Sequence, residues 1–84
     1  MTLVAQAIPT KWYEVGVMLE IEAATLDSFE TETKNPVRLC IKVFDRWKQE
    51  RKLPYTWDTI IRSLEAMKEN ETTTKIREWL ENKS

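Results

Sequence analysis

The stretch from Asn35 to Glu50 limits what this chain can fold into more than any other. Asn35 is a good helix N-cap, and Pro36 suits the first helical position, where its missing N–H would have no partner anyway. From there to about Arg51 nothing interrupts a helix. At about 100° per residue, Val37, Cys40, Ile41, Phe44 and Trp47 share one side, with Leu39 and Val43 on its shoulder. An apolar arc that wide needs several neighbours to cover it, which predicts a helix at the centre of a bundle.

The neighbours are legible as shorter pieces. Leu3, Val4, Ala7 and Ile8 recur at helical spacing, and Pro9 ends that piece. Thr10 is a candidate N-cap for a second helix with Trp12, Val15, Gly16 and Leu19 at i, i+3, i+4 and i+7. Glycine costs a helix interior about 1 kcal/mol relative to alanine, so Gly16 predicts another helix lying close against it. A weaker third piece runs from about Ala23 to Thr31, with Leu26 and Phe29 inward and Asp27 and Glu32 outward. Leu53-Pro54-Tyr55 forms a loop, after which Thr56 caps a fifth helix with Trp57, Ile60, Ile61, Leu64 and Met67 on its apolar face. A polar turn from Glu69 to Glu71 precedes a short last helix, capped by Thr72 and carrying Ile76, Trp79 and Leu80 inward. No segment alternates with period two, so no strand is expected.

These pieces predict an all-α fold, a compact antiparallel six-helix bundle. With 84 residues, the chain has room for one domain spanning residues 1–84. Its expected core holds Trp12, Leu19, Leu26, Phe29, Cys40, Phe44, Trp47, Trp57, Ile61, Leu64 and Trp79. Cys40, on that apolar face, is expected to be an inert small hydrophobe. Tyr13 and Tyr55 fall outside the inward stripes and are candidates for partner contact.

Composition excludes most chemistry. Without histidine there is no Ser-His-Asp or Cys-His catalysis and no imidazole metal site. One cysteine makes neither an internal disulfide nor a thiolate zinc site, and one glycine makes no phosphate-cradling loop. The expectation is a protein with no enzymatic activity, no cofactor and no metal. No apolar run nears the roughly 20 residues that span a bilayer, and no charged stretch followed by an apolar one opens the sequence, so a signal peptide is not expected. A cytoplasmic protein without membrane contact is expected.

The net charge of −1 hides a segregation. Residues 11–33 carry Lys11 against Glu14, Glu20, Glu22, Asp27, Glu30 and Glu32. Residues 34–52 carry Lys34, Arg38, Lys42, Arg46, Lys48, Arg51 and Lys52 against only Asp45 and Glu50. Lys34, Arg38, Lys42 and Arg46 recur every four residues as a stripe opposite the apolar arc. Two solvated faces of opposite sign would look this way. So would a surface built for head-to-tail association, because opposite potentials steer and register two copies.

The order of the aromatic residues is more specific. Trp12-Tyr13-Glu14-Val15-Gly16-Val17-Met18-Leu19-Glu20-Ile21 resembles the second-helix signature of the death domain, a Trp, then an aliphatic–Gly pair, then Leu-x-aliphatic. Leu26-Asp27-Ser28-Phe29-Glu30 looks like the family's third helix, and the aliphatics from Val37 ending in Trp47 look like its fourth. Thr56-Trp57 followed by Ile60, Ile61 and Leu64 is similar to the start of its fifth. The resemblance runs from about Leu3 to Leu80. The Arg-x-Asp-Leu motif of the related death effector domain is absent, since the nearest stretch is Arg77-Glu78-Trp79-Leu80. The caspase-recruitment domain shares the six-helix bundle and is not separated by pattern alone.

The resemblance implies a homotypic interaction module that recruits partners in apoptotic or innate-immune signalling, its partners being other death domains, a second copy included. It also implies where they meet. One family contact sets the second and third helices of one copy against the first and fourth of the next, so that Glu14, Asp27 and Glu32 would face Arg38, Lys42 and Arg46. Another pairs the end of helix four and its following loop with the turn before helix six. Here that opposes Lys48, Arg51 and Lys52 to Glu69 and Glu71. Such heterologous contacts do not close on themselves and build helical or ring-like assemblies. The alternative is a helical nucleic-acid-binding module that uses the basic stripe of the central helix. The acidic remainder and an isoelectric point near 5.5 disfavour it.

Overall fold

The computed structural model describes residues 2–83, with the side chains of residues 4–82, so the inward placement expected of Leu3 lies outside the described side chains. Among the described residues there are six α-helices and no strand. They are α1 (Thr2–Ala7), α2 (Trp12–Met18), α3 (Ala23–Glu32), α4 (Pro36–Glu50), α5 (Trp57–Ala66) and α6 (Asn70–Lys83), with a 3-10 turn at Pro9–Lys11 between the first two.

Helix α4 begins where its cap places it. The Asn35 Oδ1 accepts from the backbone N–H of Val37 at 3.0 Å and of Arg38 at 3.3 Å. The helix then runs through the middle of the molecule, touching α1, the 3-10 turn, α2 and α3. Leu39, Cys40, Val43, Phe44 and Trp47 are buried, Val37 is half-buried, and Ile41 stands 40% exposed. The buried arc is therefore turned roughly 60° from the expected one, toward Leu39 and Val43. Trp47 fixes that rotation. Its indole N–H donates to the Leu53 carbonyl at 3.0 Å, and its ring meets Tyr55 with centroids 4.6 Å apart.

The entry to α2 differs from the expected cap. Pro9 starts a 3-10 turn in which the Lys11 N–H donates to the Ile8 carbonyl. Thr10 is thereby wound into the turn and exposed, and Lys11 takes the cap position with no side-chain bond. Further along, Gly16 is where α3 comes closest. A Cβ there would stand 2.5 Å from Cδ2 of Leu26, a side chain that is fully buried. Gly16→Ala should gain about 1 kcal/mol of helix propensity and lose about 1–3 kcal/mol to overpacking. The expected net result is a lower denaturation midpoint; a rise of the full propensity gain would show that Leu26 has room to move.

Three helix ends use non-glycine residues in the left-handed conformation, Glu20 (φ 63°), Arg51 (φ 50°) and Lys68 (φ 62°). After α2 the Ile21 N–H reaches back to the Gly16 carbonyl at 3.0 Å, and after α5 the Glu69 N–H reaches the Leu64 carbonyl at 2.9 Å. Both are Schellman closures, which turn the chain sharply and satisfy carbonyls left open at the helix end. A side chain in that conformation costs about 1–2 kcal/mol, which the closing hydrogen bonds offset.

The second closure brings α6 back against α5. This last helix has 14 residues and starts at Asn70, two residues before the expected cap, so Thr72 is not its N-cap. Thr72 and Thr73 lie inside it and are buried with Ile76. The Thr73 hydroxyl stays satisfied by donating to the Asn70 carbonyl at 2.8 Å. Because the inward face is Thr72, Thr73 and Ile76, Trp79 is displaced from the core to its rim. It is 37% exposed and leans on the half-buried Trp57, with centroids 5.4 Å apart. Phe29 and Trp57 are likewise half-buried rather than central, whereas Trp12, Leu19, Leu26, Cys40, Phe44, Trp47, Ile61 and Leu64 are buried.

Burial desolvates the Cys40 thiolate and pushes the thiol's pKa from 9.0 up to about 12. The folded state thus holds a proton that the unfolded chain releases, so this contribution to stability is complete below about pH 9 and disappears between about pH 9 and 12. Between pH 9 and 10.5 the protein should lose roughly 1.5 kcal/mol more than its Cys40→Ala variant. Urea titrations across that range check this, and parallel curves for the two proteins would contradict it.

Candidate interaction surface

The outward side of α4 carries Arg38, Lys42 and Arg46 with Asp45 among them, and its cations are not equivalent. Lys42 Nζ, half-buried, is bound by the carboxylate of Glu32 at the end of α3, and lies 6.0 Å from the centre of the Phe29 ring. Arg46 is held by Glu50 one turn along its own helix. Phe29, Lys42, Asp45, Arg46 and Gln49 line a shallow depression of about 220 Å³ between α3 and α4. Lys34 and Arg38, both exposed, have no ion pair among the described residues. The sequence stripe is therefore divided into a neutralised half and a free half.

Arg38 is the residue that local stability does not explain. It occupies the third position of α4, where the exposed N–H groups and the helix dipole favour an acidic side chain. No acidic residue stands in that first turn. Lys34 stands between the C-terminal end of α3, which favours a cation, and the N-terminal end of α4, which does not.

At the other end of α4, Lys48, Arg51 and Lys52 are exposed, and no carboxylate pairs with them among the described residues. Arg51 is left-handed (φ 50°) and its Nε donates to the Lys48 carbonyl at 3.1 Å. Lys48 Nζ sits 5.9 Å from the centre of the Tyr55 ring. Here the helix dipole favours cations, so stability alone accounts for Lys48.

The acidic residues lie mainly on α2 and α3. Glu14 is exposed, 3.7 Å from Lys11, and Asp27 is exposed near Tyr13. The Tyr13 hydroxyl is harder to ionise than usual, first through loss of solvent and then through the Asp27 carboxylate, with Glu30 adding to it. Both tyrosines, the candidates for partner contact, are half-buried, Tyr13 edge-on to Trp12 at 5.4 Å and Tyr55 on Trp47. Of the second acidic pair, Glu71 is exposed beside Lys75 at 3.7 Å, and Glu69 is half-buried in the turn.

Both charged faces also present apolar side chains. Val17 and Met18 are exposed on α2, as Ile41 is on α4. Val17 and Met18 fall off the Trp12–Val15–Leu19 stripe, so their exposure was readable from spacing; Ile41 was concealed by the width of the α4 arc. Specific interfaces combine an apolar centre with a charged rim, and each face holds both elements.

Among the described residues, no cluster of three or more Cys, Asp or Glu side chains is placed to hold a metal ion, and no helix is long and apolar enough to cross a membrane. The family model described as Death domain matches residues 1–80. The chain belongs to the death-domain family. None of the curated proteins and none of the solved structures matches it. Death domains are interaction modules of signalling rather than enzymes, and they bind other death-fold domains.

Proposed function

We propose that this death domain gathers partners in apoptotic or innate-immune signalling, in the cytoplasm, by stacking asymmetrically on other death domains, including copies of itself. The α4 face with Arg38 at its centre, flanked by Lys34, Lys42 and Arg46, meets the α2–α3 face with Glu14, Asp27 and Glu32. Ile41 on one side and Val17 and Met18 on the other supply the apolar contact. A second contact pairs Lys48, Arg51 and Lys52 with Glu69 and Glu71. Arg38 is the observation that carries this reading, because an unpaired cation at the positive end of a helix is a local cost that an acidic partner offsets.

Light scattering during size exclusion, run over a concentration series, tests the proposal. Self-association should weaken about tenfold as salt rises from 0.05 to 0.5 M, because screening shortens the reach of exposed charges. Association that is indifferent to salt would remove the charged faces from the explanation.

A further inference from the structure

The Glu32–Lys42 pair joins residues that belong to opposite sides of the proposed contact. Glu32 ends α3, on the acidic face, and Lys42 lies midway along α4, on the basic face. Within one chain each masks the other. Glu32 is also poorly placed for its own helix, because a carboxylate at a helix C-terminus opposes the dipole, so Lys42 is its main source of compensation. Lys42 has a second anchor in the Phe29 ring, which keeps it turned toward α3.

We propose that this pair is a latch that couples the two faces. It rests on the head-to-tail reading above. When an acidic residue of a neighbouring copy takes Lys42, Glu32 is released and becomes available to a cation of a third copy. Occupying the basic face thus strengthens the acidic face, and by linkage the reverse holds to the same extent. The first contact between two copies must break two latched pairs' worth of masking, and later contacts find one side already open. Assembly is then nucleated: weak at first, stronger as copies add.

The size of the effect follows from the exposure of the pair. Solvent-exposed ion pairs contribute up to about fivefold in an equilibrium constant, so releasing this one should change affinity by roughly two- to fivefold. Copies with one working face isolate it. Asp27→Asn with Glu14→Gln neutralises the acidic face and leaves a basic-faced copy; Arg38→Gln with Lys34→Gln neutralises the basic face and leaves an acidic-faced copy, so the two altered faces do not attract each other. Their mutual affinity, measured by titration calorimetry, is the reference. Adding Glu32→Gln to the basic-faced copy frees Lys42 and should tighten binding roughly two- to fivefold. Adding Glu78→Gln instead removes the same charge from α6, where no ion pair among the described residues is broken, and should give a smaller change. Adding Lys42→Met to the acidic-faced copy should tighten binding from the other side.

Binding that is unchanged or weaker with Glu32→Gln, or no tighter than with Glu78→Gln, overturns the latch while the head-to-tail contact stands. If the two one-faced copies do not bind and the unaltered protein does not self-associate, the contact itself fails and the latch falls with it.

Discussion

Replacing Trp47 with alanine is expected to remove roughly 3–5 kcal/mol of stability, the range for truncating a buried aromatic. A domain of this size has a total of only about 4–13 kcal/mol, so the variant should be largely unfolded at moderate urea concentrations. The reason lies in where the indole sits. Trp47 is 1% exposed, touches Phe44 and Tyr55, and ties α4 to the following loop through its bond to the Leu53 carbonyl. Trp79→Ala provides the contrast, since that ring is on the surface and its partner Trp57 is half-buried. Its cost should be smaller, about 1–3 kcal/mol, from the aromatic pair and the partial burial of the ring together. Urea unfolding followed by circular dichroism distinguishes the two, and equal midpoints would refute the assignment of Trp47 to the core and Trp79 to its rim.

The second large effect concerns association without stability. Arg38→Glu places a carboxylate at the third position of α4, in its first turn, where it complements the helix dipole. Folding stability should hold or rise by about 0.5 kcal/mol. Self-association should weaken by about tenfold or more, because the new carboxylate would face Glu14 and Asp27 on the neighbouring copy. Improvement in one property with loss of the other separates a binding role from a structural one. Sedimentation velocity and thermal unfolding on the same sample measure both, and a variant that is more stable and associates as before would show that Arg38 is merely solvated.

The fold was legible because its signals are local and strong. Asn35-Pro36 opens α4, Thr56 opens α5 by accepting from the Thr59 N–H at 3.2 Å, and Gly16 marks the close approach of α3. The misplacements share a cause, which is that spacing gives the period of a helix but not which part of a wide apolar arc its neighbours cover. Ile41 and Leu39 exchanged roles for that reason. At α6 the inward face is built from Thr72 and Thr73, whose hydroxyls do not register as apolar, so Trp79 was drawn inward in their place. The left-handed ends at Glu20 and Lys68 carry no residue signal at all, because glycine or asparagine would be the usual mark. The charge segregation of the candidate surface was visible in the sequence. Its division into paired and unpaired cations was not, since that depends on Glu32 reaching α4 across a turn between helices.

The central claim is that opposite faces of two copies meet, and complementation between reversed faces tests it most directly. One variant carries Arg38→Glu with Lys34→Glu, and the other carries Asp27→Lys with Glu14→Lys. The second contact is unaltered in both, so it adds equally to every measurement. The account predicts that an equimolar mixture forms a 1:1 heteromer at least about tenfold tighter than either variant's association with itself, as restored attraction between opposite charges requires. A mixture that associates no better than its components would contradict it.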